Sequence, residues 1–169
     1  LKRVEDAQLL FGSGTGNNLH GIYTQATAYS APITIASPTR VDTMRLAMLQ
    51  AALADVFATG HVLHMHDWTA IELLKDTTGA YLFTNPFSPN TPSLWGLPVA
   101  ETNHAAMASK FLTGSFAEAA QIFDREDANV VISTENADDF EKNMISVRCE
   151  ERLALAVYRP EAFVKGEFP

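Results

Sequence analysis

The sequence contains very little cysteine and no long hydrophobic run. Its 169 residues include one cysteine, Cys149, which cannot form a disulfide bond within the chain. The composition is therefore unlike that of small secreted domains stapled by disulfides. No apolar stretch approaches the about 18 residues that a membrane-spanning helix needs. The first residues, LKRVED, contain no apolar segment of the kind found in a signal peptide, so we expect neither a membrane span nor a leader.

Basic residues are also scarce. The chain has 12 lysines and arginines against 20 aspartates and glutamates, a net charge of −8. Such a chain repels phosphate groups over most of its surface, which argues against general nucleic-acid binding. Apolar residues make up 47% and charged residues 19% of the chain. This composition predicts a globular protein, and the length fits one domain or two closely joined ones.

Motifs that mark common enzyme classes are missing. Gly12, Gly14 and Gly16 have the spacing G-x-G-x-G, which differs from the dinucleotide-binding G-x-G-x-x-G, and no P-loop Lys-Ser/Thr pair follows. These glycines therefore predict a turn. The chain has no G-x-S-x-G nucleophile motif. Cys149 lies in an alternating apolar run, which predicts a buried and unreactive thiol. We expect no cofactor-binding site.

Three histidines, His61, His64 and His66, form the densest group of potential metal ligands. No cysteine lies near them, and Asp67 is the only adjacent carboxylate. Zinc needs three or four ligands that converge, and on a strand His61 would face away from the other two. We interpret them as strand-end and loop histidines and expect no metal site. A metalloenzyme centred on them is kept as a minor alternative.

The apolar spacing predicts a mixture of helices and strands, with no internal repeat. The first predicted helix has no capping residue before it, which suggests a start within a longer element. Loops are predicted at the proline-rich residues 85–93 and the acidic residues 135–141. Helices are predicted at residues 1–11, 41–57 (with Gly60 as the C-cap), 68–74 and 116–123. Strands are predicted at residues 61–65, 79–83, 97–100, 110–113, 130–133, 144–149, 153–158 and 162–165.

Several short stretches carry a resemblance to a known family. They are LWGLPV at 94–99, FDR at 123–125, DFEKNM at 139–144, CEERLALA at 149–156 and KGEF at 165–168. In this order they resemble the major capsid proteins of tailed phages of the Hong Kong 97 type. No single stretch is diagnostic. Together with QLL at 8–10, GTG at 14–16, DW at 67–68 and LKD at 74–76, they agree in order along nearly the whole chain, and this agreement is specific.

The resemblance implies an α+β fold of the Hong Kong 97 type, and that the chain is the C-terminal portion of a capsid subunit. The N-terminal arm and the extended loop of the family would be absent. Residues 1–21 would be the end of the spine helix and a loop of the peripheral domain. Residues 22–117 would form the axial domain, residues 118–156 the peripheral-domain strands, and residues 157–169 a return to the axial domain.

The resemblance also implies a function. The protein would be a structural subunit of an icosahedral phage head, assembling with copies of itself into pentamers and hexamers that enclose double-stranded DNA. Its partners would include the portal and the scaffold or protease of the head, with only non-specific contact to DNA and none to a membrane. It would be found in the virion capsid, after assembly in the cytoplasm of the bacterial host. The alternative from the same fold is the shell of an encapsulin-type nanocompartment.

Two residues match positions at which some family members form a covalent crosslink. Asn143 matches the acceptor asparagine, and Glu150 matches the glutamate that acts as the base. The donor would be a lysine of the extended loop of another subunit, so the protein would be at most a single-turnover catalyst of its own crosslinking. Trp95, followed by Gly96 and Pro98, is expected to pack in the core where the backbone turns closely.

Overall fold

The structure is a computed structural model that describes residues 2–82, 91–135 and 140–168. The helices are α1 (Lys2–Phe11), α2 (Ile22–Gln25), α3 (Arg40–Leu53) and α4 (Met65–Glu72), with 3-10 turns at Ala105–Met107 and Pro160–Ala162. The strands are β1 (Thr27–Ala28), β2 (Gly60–His64), β3 (Ser93–Leu94), β4 (Leu97–Thr102), β5 (Lys110–Gly114), β6 (Ala120–Ser133), β7 (Ser146–Val157) and β8 (Phe163–Glu167). Within the described ranges, no helix is long and apolar enough to cross a membrane.

Six strands form one mixed sheet in the order β1-β8-β5-β2-β4-β3. The central strand β2 is parallel to β4 and antiparallel to β5, and β5 is antiparallel to β8. One face of this sheet packs Leu63, Phe111 and Val164 against α3 and α4. Leu112 and Phe163 point to the opposite face, where they pack with α1 and α2 residues such as Leu10 and Ile22. The sheet is therefore buried on both faces.

Helix α3 begins with a complete capping box. Thr39 accepts a hydrogen bond from the Asp42 backbone N–H, and the Asp42 side chain accepts one from the Thr39 backbone N–H. The helix ends at Leu53, and the prediction that it continues to residue 57 is wrong. Asp55 takes a left-handed conformation (φ 59°), and the N–H of Val56 bonds to the Ala51 carbonyl. This Schellman-type ending stops the helix.

Several other predicted elements also differ from the structure. Gly60 is the first residue of β2 and not a C-cap. The helix predicted at 116–123 is wrong, because the chain makes one turn after Ser115 and then enters β6 at Ala120. The strand predicted at 79–83 is reduced to a single bridge between Lys75 and Tyr81. The predicted loops at 85–93 and 135–141 lie partly outside the described residues, and Ser93 belongs to β3.

Strands β6 and β7 form a separate two-stranded hairpin. The runs predicted at 144–149 and 153–158 are parts of the single strand β7, and the run at 130–133 is the end of β6. The register shifts twice between Asp124 and Asn129, where β6 contains extra residues. Such bulges increase the local twist of a strand pair. At its base, Leu155 and Val157 pack on the core shared with α1.

Candidate functional site

Asn143 lies in the turn that leads into β7, and its side chain is exposed. Its backbone has a left-handed conformation with φ 52°, and its N–H is 3.4 Å from the Phe140 carbonyl oxygen. Asparagine accepts this conformation more readily than most residues, because its short polar side chain can bond locally. The turn therefore presents the Asn143 amide to solvent, where a nucleophile from another molecule could reach its carbonyl carbon.

Glu150 lies within β7, opposite Asn129 of β6. Its Oε1 atom accepts a hydrogen bond from Arg148 Nη2 at 3.1 Å; the Arg148 side chain is 68% exposed and the Glu150 side chain 36%. An ion pair of this kind contributes little to stability. The carboxylate is therefore held near one cation but stays accessible to a group that approaches from outside.

The structure does not bring Asn143 and Glu150 together within one chain. Glu150 lies four strand positions after Ser146, the first residue of β7, and Asn143 lies before that strand begins. At about 3.3 Å per residue, the strand alone separates them by roughly 13 Å. The two side chains therefore do not form one compact site within the chain.

A groove of about 490 Å³ lies between α1 and β7. Its apolar wall includes Val4, Leu19 and Leu153. Three carboxylates, Glu5, Glu150 and Glu151, also line it, together with a few polar residues and Arg152. Such a groove suits a cationic side chain with a long aliphatic stem, because the stem covers the apolar wall while the charge meets the carboxylates. The sequence could not identify Glu5 or Glu151 here, since about 145 residues of chain separate them.

Cys149 is exposed, so the prediction of a buried thiol is wrong. The predicted alternation of side chains along the strand is present. Val130 pairs with Cys149, and Ile132 pairs with Val147, on the same face of the hairpin. Val130, Ile132 and Val147 are all exposed. The hairpin thus has an apolar face that no described residue covers at its far end.

The three histidines have separate structural roles. His61 is buried in β2, with Nδ1 2.9 Å from Thr113 Oγ1. Burial lowers the pKa of His61 to about 4, against an opposing effect of the Leu94 backbone. His64 caps α4, where its Nδ1 atom accepts the N–H of His66. Across the described ranges, no three His, Cys, Asp or Glu side chains are grouped to hold a metal ion.

Trp95 is not a core residue, and that prediction is wrong. Its side chain is 51% exposed. The backbone does turn closely, since Trp95 (φ 54°) and Gly96 (φ 79°) are the two central residues of the β3–β4 turn. Positive φ at both positions is typical of a type I′ turn, in which tryptophan is an unusual first residue. The indole Nε1–H donates to the Val41 carbonyl at 3.2 Å, which holds the ring against the N-terminal half of α3.

The turn predicted at the three glycines is confirmed. Gly14 and Gly16 have positive φ angles, and Ser13 forms a bridge with His20. The N–H of Gly21 bonds to the Gly12 carbonyl, which closes the loop directly after α1. The positive φ angles account for Gly14 and Gly16, and the close approach of the Leu19 and Gln8 carbonyl oxygens accounts for Gly12.

Solved structures identify the fold. The capsid of an empty GTA particle, computed with C5 symmetry, matches with a TM-score of 0.69 over 98% of this chain and 61% of that chain, at 19% identity. A virus-like particle from Pyrococcus furiosus matches with a TM-score of 0.63 over 99% of this chain and 64% of that chain, at 12% identity. The fold is therefore the Hong Kong 97-like fold of shell-forming proteins, present here in part.

Sequence comparison gives the family. A profile of the phage capsid family matches residues 1–168. The major capsid protein of Enterobacteria phage HK97 is 46% identical over 164 residues, which are 97% of this chain and 42% of that protein. The chain therefore belongs to the phage capsid family, and it spans less than half the length of this curated relative.

Proposed function

We propose that this chain is part of the structural subunit of an icosahedral phage head. Copies of the subunit assemble into pentamers and hexamers that enclose double-stranded DNA. The observation that carries this proposal is the 46% identity to a phage major capsid protein along 97% of the chain. Identity at this level to a phage protein favours a phage head over the nanocompartment shell that uses the same fold.

The two sheets of the chain belong to different domains of the subunit. The six-stranded sheet with α3 and α4 is the axial domain, and the hairpin of β6 and β7 belongs to the peripheral domain, with α1 as the end of its spine helix. This division is supported by the strand pairing. β8 returns to pair with β5, whereas β6 and β7 pair with each other in the described part of the chain.

The apolar far end of the hairpin supports a larger peripheral domain. A two-stranded sheet is marginally stable in water unless it packs on another element. Near its base, the face that carries Leu155 packs on the core, but Val130, Ile132 and Val147 further along are exposed. In the full subunit, the preceding part of the spine helix covers these side chains.

The proposal includes a covalent crosslink between subunits at Asn143 and Glu150. A neutral lysine amine from a second subunit attacks the amide carbon of Asn143, an isopeptide bond forms and ammonia leaves. Glu150 of a third subunit accepts the proton that the amine loses and passes it to the departing amide nitrogen, which leaves as ammonia. The supporting observations are the exposure of Asn143 in its turn and the acidic, partly apolar groove around Glu150, which suits a lysine side chain. Their separation within one chain agrees with contributions from different subunits.

The remaining expectations follow from the same proposal. In the virion the subunit contacts DNA without sequence specificity, and this portion of it, with a net charge of −8, offers few cations to phosphates. During assembly in the host cytoplasm it meets the portal and the scaffold or protease of the head.

Expression of the complete subunit alone tests the proposed function. We expect closed shells, which sediment as one fast species and appear as uniform polygonal particles under the electron microscope. A product that stays monomeric at high concentration, with or without a scaffold and protease, would contradict the proposal.

A further inference from the structure

The second half of helix α3 has no polar face. From Leu46 to Phe57 the side chains are apolar except for Gln50 and Asp55. Gln50 is engaged by neighbouring backbone, since its amide group donates to the Ala28 carbonyl and accepts from the Ser30 N–H. A helix that is apolar all round is normally buried all round. Here one side packs on the sheet through Met44, Ala47 and Ala51, and the other side faces solvent.

The outward side of α3 forms an apolar ridge, which we call the α3 ridge. Leu49 and Leu53 lie one turn apart on the helix, Phe57 follows shortly after its end, and the Trp95 ring lies near the N-terminal end beside Arg45. Leu53 is 69% and Phe57 is 81% exposed. The Schellman-type ending at Asp55 places Phe57 just beyond the helix, so its exposure follows from a defined backbone turn.

The Trp95 end of this ridge is strained and fixed. A tryptophan with φ 54° occupies a position where asparagine or glycine would be unstrained. Its ring is held in place by the Val41 carbonyl and by the Arg45 guanidinium, 5.9 Å from the ring centre. Strained residues persist where the surrounding structure holds them and often cluster at functional sites, and tryptophan and arginine are each enriched among the residues that dominate binding at protein interfaces.

We propose that the α3 ridge is a contact surface for a second copy of this chain, next to it in the same ring. The inference rests on the proposed function, because it names the surface through which axial domains meet. The chain carries a net charge of −8, so broad contact between two copies is repulsive. The second half of the ridge has one charged residue, Asp55, and is therefore a surface where two acidic copies can approach closely.

The size of the ridge also fits a repeated contact. Taking about 200 Å² for each fully exposed side chain, Leu53, Phe57 and Trp95 together expose roughly 400 Å². A stable pair of free proteins buries about 800 Å² per partner. The ridge supplies about half of that area. It therefore suits a neighbouring copy that is also restrained by its other contacts around a closed ring.

The test compares Leu53→Glu and Phe57→Glu with the control Leu73→Glu in the complete subunit. Leu73 is also an exposed leucine near a helix end, but it lies after α4, outside the ridge. We expect the two ridge variants to keep the wild-type circular dichroism spectrum and to lower the yield of closed particles by roughly tenfold or more. The control should assemble like the wild type. Ridge variants that assemble normally, or a control that fails equally, would overturn the inference.

A photocrosslinking residue at position 57 identifies the occupant directly. We expect a product of two copies of this chain, joined from position 57 to the axial domain of the neighbour. Crosslinks only to a different protein or to DNA would overturn the inference. A wild-type subunit that forms no particles would count against the proposed function, and the crosslink between copies would still decide whether the ridge binds a second copy.

Discussion

The His61 side chain is almost completely buried, and this burial makes the free energy of unfolding depend on pH. Its pKa is lowered to about 4 by burial, whereas an unfolded chain protonates histidine near its ordinary value of 6.5. Between these values the unfolded state binds a proton that the folded state does not. The free energy of unfolding should therefore fall as the pH drops from 6.5 to 4, by about 3 kcal/mol for this residue.

Urea titrations at pH 7, 6, 5 and 4 measure this dependence. His61→Gln should remove this part of the slope, at some loss of stability at pH 7 because the buried site is repacked. His66→Gln, at an exposed position on α4, should keep it. Equal slopes for wild type and His61→Gln would show that His61 does not control this pH range.

The prediction about crosslinking concerns the side chains of Asn143 and Glu150. Denaturing gels of mature particles should show ladders of linked subunits. The ladders should disappear in Asn143→Asp, which removes the amide leaving group, and in Glu150→Gln, which removes the base. Arg148→Gln, which removes the ion-pair partner of Glu150, should keep the ladders. A single monomer band from wild-type particles would refute the crosslink.

At the scale of elements, the joint between α1 and the rest of the chain depends on Gly21. A Cβ atom added there would lie 2.4 Å from the Leu10 carbonyl oxygen and 2.6 Å from the Gly12 nitrogen, both of which are backbone atoms. Gly21→Ala should therefore lower stability by about 2 kcal/mol or more, since the backbone itself must shift. Gly60→Ala is the matched control, because its new Cβ would meet no atom closer than 3.5 Å. Equal melting temperatures for the two variants would contradict this description of the joint.

The elements also show what the sequence could and could not predict. Helix α3 and strands β2, β4, β5 and β8 were predictable because their apolar spacing and the Thr39 cap are local signals. The end of α3 was not, since a left-handed Asp55 replaces the glycine that usually marks such an ending. The helix predicted at 116–123 failed because pairing with β7 decides the structure of that segment.

The same limit applies to side chains that meet across the fold. Asp67 is buried because it accepts hydrogen bonds from Arg40, 27 residues away, and from the Ser109 N–H, 42 residues away. No pattern in the neighbouring sequence predicts such a partner. Asn143 and Glu150 were found through their match to a family, and their geometry within one chain would not have identified them as a pair.

At the scale of the whole molecule, two apolar surfaces of the described residues bear on assembly. The far end of the hairpin exposes Val130, Ile132 and Val147, and the α3 ridge exposes Leu53 and Phe57. Contiguous apolar surface of this kind marks contact with other protein. In the proposed shell, the first is covered by the subunit's own spine helix and the second by a neighbouring copy.

Electron cryo-microscopy of particles assembled from the complete subunit tests the central claim most directly. We expect an icosahedral shell in which the six-stranded sheet and α3 surround the fivefold axes and the local sixfold axes, while the hairpin of β6 and β7 lies at the periphery of each ring. Particles without icosahedral symmetry, or a shell in which the hairpin surrounds those axes, would contradict the account.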